Sequence, residues 1–140
     1  MDGQASEVFE YRSRMPGTPM VAWMDHCATI DLPGRTRGKV WLDPDTAEIL
    51  RLDEGIIGLF DFIVPRDQQR NGSAQWLTIE RADTSIRYKP VRFSEPDETL
   101  MLPASIDTLT IVRNAGTPRV RIRKTYSGYR RFVTEGRLVP

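Results

Sequence analysis

Residues able to do chemistry are few in this chain, and their neighbours restrict them further. His26 and Cys27 are the single histidine and the single cysteine, and they are adjacent. They are therefore the one base–nucleophile pair on offer. In an extended chain adjacent side chains point to opposite faces, whereas a general base must hydrogen-bond the nucleophile it activates. A structural thiol beside a surface histidine is the simpler expectation. A zinc ion would have to find its remaining ligands among carboxylates, and no suitable spacing occurs. Asp43, Asp45, Glu48, Asp53 and Glu54 form the densest acidic cluster. A calcium loop needs ligands at alternate positions with glycine at the bend. Here Pro44 occupies the bend, so the cluster is expected to cap a turn.

Arg119–Val120–Arg121–Ile122–Arg123–Lys124 alternates sharply and puts Arg119, Arg121 and Arg123 on one face of a strand. Such a stripe could hold phosphates or nucleic acid, with Tyr126, Tyr129 and Phe132 nearby for stacking. It equally fits a solvated strand face paired to acidic neighbours such as Asp107 or Glu80. Net charge decides for the second: 20 basic against 19 acidic residues leave +1, without the basic excess of nucleic-acid binders. No nucleic-acid partner is expected. No glycine-rich phosphate loop, Walker sequence or serine nucleophile elbow is present, no cofactor is implied, and the chain reads as non-enzymatic. Trp23, Trp41 and Trp76 with Phe60 and Phe62 are candidate pocket walls, although core packing is the commoner fate of such residues. The expected lining of an apolar site is Trp41, Leu59, Phe60, Phe62 and Trp76.

These groups must be carried by strands. Lys39 to Asp53 reads as a β-hairpin: Val40–Trp41–Leu42 in, Asp43–Pro44–Asp45–Thr46 at the corner, Glu48 to Leu52 out. Proline presets φ for a type I turn and Asp43 can bond amides two residues on. Glu7 to Arg14 alternates Phe9 and Tyr11 with charges, as a strand with one wet face does. Met20 to Met24 and Cys27 to Leu32 read as short strands. Ile56 to Val64 is dense in large apolar residues without a clean period, so short helix and buried strand both fit. This segment is expected to fold as a lid over a concave face, with Phe60 and Phe62 pointing toward Trp41 or Trp76. Farther on come strands over 76–81, 84–93, 100–102, 105–113, 119–126 and 131–139, with Pro90 signalling an edge or bulge. Strands joined by short turns imply one mainly β domain over 1–140, an antiparallel curved sheet or half-barrel meander with little helix.

Composition agrees. At 140 residues, 39% apolar and 28% charged, the chain lies in the globular range and is long enough for one core. Its N-terminus lacks the basic and apolar regions of a signal peptide, and no apolar run reaches membrane-spanning length.

The hairpin V-W-L-D-P-D-T-x-E-I-L-R-L resembles the strand–turn–strand hairpin of the periplasmic lipoprotein-carrier superfamily, which includes the LolA and LolB carriers and RseB-type sensor domains. Tyr88–Lys89–Pro90–Val91–Arg92–Phe93, then Leu102–Pro103, then Tyr126 to Phe132 are similar to segments of secreted bacterial proteins, the acidobacterial ones especially. The resemblance covers Lys39 to Phe132. It implies a periplasmic or secreted half-barrel whose concave face binds a lipid or acyl chain, or a partner domain. A purely structural module with a filled core is the alternative.

Overall fold

The computed structural model describes residues 3–70, 72 and 74–131. Nine strands account for most of them: β1 (Glu7–Arg12), β2 (Met20–Met24), β3 (Cys27–Asp31), β4 (Thr36–Leu42), β5 (Ile49–Ile56), β6 (Phe60–Ile63), β7 (Trp76–Phe93), β8 (Glu98–Arg113) and β9 (Arg119–Thr125). A single 3-10 turn, Arg66–Gln68, is the one helical element among the described residues. The main sheet is antiparallel in the order β1-β4-β5-β7-β8-β9, with β6 also on β7. The fold is thus mainly β, as the alternation and turn spacing imply. Of the strand expected over 131–139, Arg131 is described and is not in a strand, while positions 132–139, Phe132 among them, lie outside the described residues.

The hairpin of β4 and β5 forms where expected and is longer at both open ends. Asp43 makes its corner: one carboxylate oxygen accepts from the amides of Asp45 (2.8 Å) and Thr46 (3.1 Å). The Asp43 amide donates to the Glu48 carbonyl and the Ala47 amide to the Asp43 carbonyl. Ala47 takes a positive φ of 60° to close the loop.

Three sequence expectations merge or move. The segments 76–81 and 84–93 are one strand, β7, because the register shift between Ile79 and Arg81 absorbs an extra residue without ending the ladder. The segments 100–102 and 105–113 are likewise one strand, β8. Pro90 is tolerated because β5 pairs with β7 only as far as Arg87, leaving an edge beyond it. The third change concerns Ile56 to Val64, which is no lid. Glu54 pairs with Thr84 and Phe60 with Ile79, so β6 continues along β7 almost in line with β5. Gly58, at φ 75°, lets the chain kink between them. The apolar run lacked a clean period because it spans the end of one strand, a kink and another strand.

The β2–β3 hairpin stands apart from the main sheet and covers one end of it. Trp23 packs on Phe62 with ring centroids 6.1 Å apart. At its tip, the His26 amide donates to the Gln68 side chain and the His26 ring bonds the Gln68 carbonyl, each at 2.8 Å. β1 was expected to bury one face. Instead all six of its residues are exposed, as befits an outer strand with no layer above it.

Buried apolar side chains are scarce. Among the described residues they are Leu50, Phe62, Val64 and Ile79, and no large side chain is fully buried. The chain exposes 10753 Å², where a compact monomer of this mass exposes about 7400 Å². The molecule is a curved single-layer sheet with little core, its buried residues divided between Leu50 at the start of β5 and Phe62, Val64 and Ile79 around β6.

Candidate functional site

Side chains of paired antiparallel residues share a face, so the register sorts every strand into two surfaces. One surface is polar. A row crosses six strands as Glu10–Lys39–Asp53–Ser85–Asp107–Arg123, and beside it lie Arg12–Arg37–Gly55 and Asp83–Leu109–Arg121, which meet where Gly55 abuts the Asp83 carboxylate. Residues of β1, β4, β5, β7, β8 and β9 line a single cleft of about 1000 Å³ on this side. One cleft touched by both outer strands means that the sheet curls around it, so the polar surface is the concave one. The other surface carries the row Phe9–Val40–Leu52–Ile86–Ile106, ending in Lys124.

The cleft is built from ion pairs between neighbouring strands and along them. Lys39 meets Glu10 at 3.3 Å. Arg51 grips Asp53 through two hydrogen bonds of 2.9 and 2.8 Å, and the Ser85 hydroxyl donates to the same carboxylate at 2.6 Å. Arg81 pairs with Asp83, and Arg123 with Asp107 at 3.6 Å. Burial pushes the Asp53 carboxyl upward. The bonds from Arg51 and Ser85, with the positive charges of Arg51 and Arg87, outweigh that and hold it below the ordinary range. Trp41 lies in the cleft with the Arg51 guanidinium 4.8 Å from its ring centre, which fixes Arg51 between an aromatic face and a carboxylate.

Gly38 is required beside the cleft, because a Cβ there would come within 2.5 Å of the Asp53 carbonyl and of the Tyr11 ring. Tyr11 covers that glycine and donates to Glu54. Partial burial and the Glu54 carboxylate push the Tyr11 phenol up to about 12.

The five residues expected to line an apolar site do not converge. Trp41 sits in the charged cleft. Phe60 and Phe62 stack at 6.0 Å on the opposite surface, with Arg35 over Phe60. Trp76 pairs with Ile63 and both stay exposed, and Leu59 is exposed beside the kink. Strand alternation separates them: the pocket expectation grouped residues by apolarity, while the pleat divides Trp41 from Phe60 and Phe62.

The arginine alternation of β9 behaves as a solvated face. Asp107 supplies the expected partner for Arg123, but Glu80 pairs with Arg113, at 2.6 Å. Cys27 is exposed rather than a buried structural thiol, since the outer strand of a two-stranded hairpin offers nothing to cover it. Of the acidic cluster only Asp43 caps the turn; bonds from the Asp45 and Thr46 amides lower its pKa. Asp53 and Glu54 are strand residues on opposite faces. No group of three or more metal-ligating side chains occurs among the described residues, and no described helix is long and apolar enough to cross a membrane. Sequence reading missed the cleft because its charges come from six strands. The signal available was the charge alternation of Lys39, Arg51–Asp53 and Arg81–Asp83–Ser85–Arg87.

Comparison with protein-family models, curated proteins and solved structures gave no match.

Proposed function

We propose that this chain is a non-enzymatic binding module, and that its partner is a polypeptide layer laid on the apolar side of the sheet. The observation carrying this reading is the row Phe9–Val40–Leu52–Ile86–Ile106. It crosses five strands, yet Phe9 is 50% exposed and the other four are only half-buried. A sheet with one apolar face gains its stability by burying that face against another layer, and contiguous open apolar surface marks interaction sites.

The acyl-ligand reading draws less support. The aromatic cluster that would hold a chain is already packed shut where Phe62 meets Trp23. A location outside the cytoplasm is supported by the hairpin resemblance.

A photo-reactive residue in place of Ile86 tests the proposal in cells producing the chain. One discrete heteromeric protein adduct is expected. A doubled mass would make the covering layer a second copy. Absence of any protein adduct, together with stoichiometric lipid in native mass spectrometry, would replace the proposal with lipid carriage.

A further inference from the structure

Charge bookkeeping in the concave cleft does not close. The four carboxylates that face it are all engaged: Glu10 by Lys39, Asp53 by Arg51 and Ser85, Asp83 by Arg81 and Asp107 by Arg123. Three cleft arginines, Arg12, Arg37 and Arg121, have no ion-pair or hydrogen-bond partner among the described residues. They belong to the two half-rows that meet at Gly55 and Asp83, with Arg12 and Arg37 at one end and Arg121 at the other. Between them lie Gly55, Asp83 and Leu109. Gly55 keeps the floor low at mid-row, since a Cβ there would stand 2.8 Å from the Asp83 carboxylate.

The spacing of these charges selects the ligand. Arg37 and Arg121 are four strand steps apart, about 19 Å along the sheet at roughly 4.8 Å per step. The curl of the sheet shortens the direct path. An extended peptide covers that distance in at most about six residues. A cleft of about 1000 Å³ exceeds the needs of a small inorganic anion. A nucleic acid, charged at every phosphate, would meet Glu10, Asp53, Asp83 and Asp107 between the arginines and be repelled. A polypeptide can place carboxylates at intervals and set a neutral residue over Gly55 and Leu109.

We infer that the cleft binds an acidic polypeptide segment lying across the strands, with carboxylates near its two ends received by Arg37 and Arg121. Guanidinium groups suit this role because they pair with carboxylates through two parallel hydrogen bonds. The inference concerns the face opposite the apolar row and stands or falls separately from docking there.

Fluorescence anisotropy on the whole chain provides the test. The probe is a labelled peptide of about eight residues with glutamates near both ends and Gly, Ser and Leu between. It should bind in a salt-sensitive manner. Arg37→Gln with Arg121→Gln should weaken it by about tenfold or more, a loss of about 1.4 kcal/mol or more. Arg92→Gln, outside the cleft and paired with Asp97, should bind as the parent does. Circular dichroism on each variant separates lost contacts from lost folding. No binding of the probe would overturn the inference, as would equal binding by the folded double variant or by a peptide with lysines for glutamates. A thymidine oligonucleotide binding at least as tightly would overturn it in favour of nucleic acid.

Discussion

The two faces of the main sheet are made from the same strands, yet they solve burial differently. On the concave face the pleat presents charges, and every carboxylate there is paired while Arg12, Arg37 and Arg121 are left over among the described residues. On the convex face it presents aliphatic side chains, most of them only half-buried, with Phe62 packed under the β2–β3 hairpin. Paired charges need no second layer, whereas a row of Val, Leu and Ile gains nothing until one arrives. The contrast separates a face that water and its own ion pairs already serve from one that gains only when covered.

The largest effect should come from the covered end. Phe62 is 7% exposed, and Phe62→Ala should cost about 3–5 kcal/mol in chemical denaturation, with loss of the Trp23 contact visible in fluorescence. The same chemistry in the open row should matter much less: Ile86→Thr should change stability by about 1 kcal/mol or less. A loss at Ile86 as large as that at Phe62 would mean that the row is already buried, and the contrast within the convex face would collapse.

The smallest effect belongs to the polar face. Asp53 has a folded pKa below its unfolded one, so its contribution is present above the unfolded value and is lost as pH falls through the folded value. That places the loss on the acid side of about pH 4. Asp53→Asn should lower the unfolding midpoint at neutral pH, and parent and variant should converge in acid. Parallel curves across the whole range would show that the Arg51–Asp53–Ser85 group does not couple charge to folding.

Local chemistry was legible in the sequence, and assembly was not. The Asp43 corner, the alternation of β9 and the edge signal of Pro90 can be read directly, because turn geometry and pleat are properties of a few neighbouring residues, whereas β7 and β8 each read as two shorter strands. The row Phe9–Val40–Leu52–Ile86–Ile106 spans positions far apart in sequence, and only the register shows that they line up. Aromatic residues misled for the same reason. Trp41 and Phe62 look alike as apolar bulk, but they stand on opposite sides of one layer. Arg121 could be placed on a strand face from its alternation, and its lack of a partner emerges only once Asp107 is seen opposite Arg123.

The pairing of β7 with β8 has a consequence for the order in which the molecule comes together. These two longest strands are adjacent in sequence and joined by the tight turn Ser94 to Asp97. β5 and β6 pair directly with one of them and β9 with the other. A hairpin of this kind zips from its turn with little loop-closure entropy. β1 must close a loop that contains the entire β2–β3 hairpin before it reaches β4. Amide protons in the middle of β7 and β8 should therefore exchange slowest, those of β1 fastest, and the sheet should grow outward from its own spine.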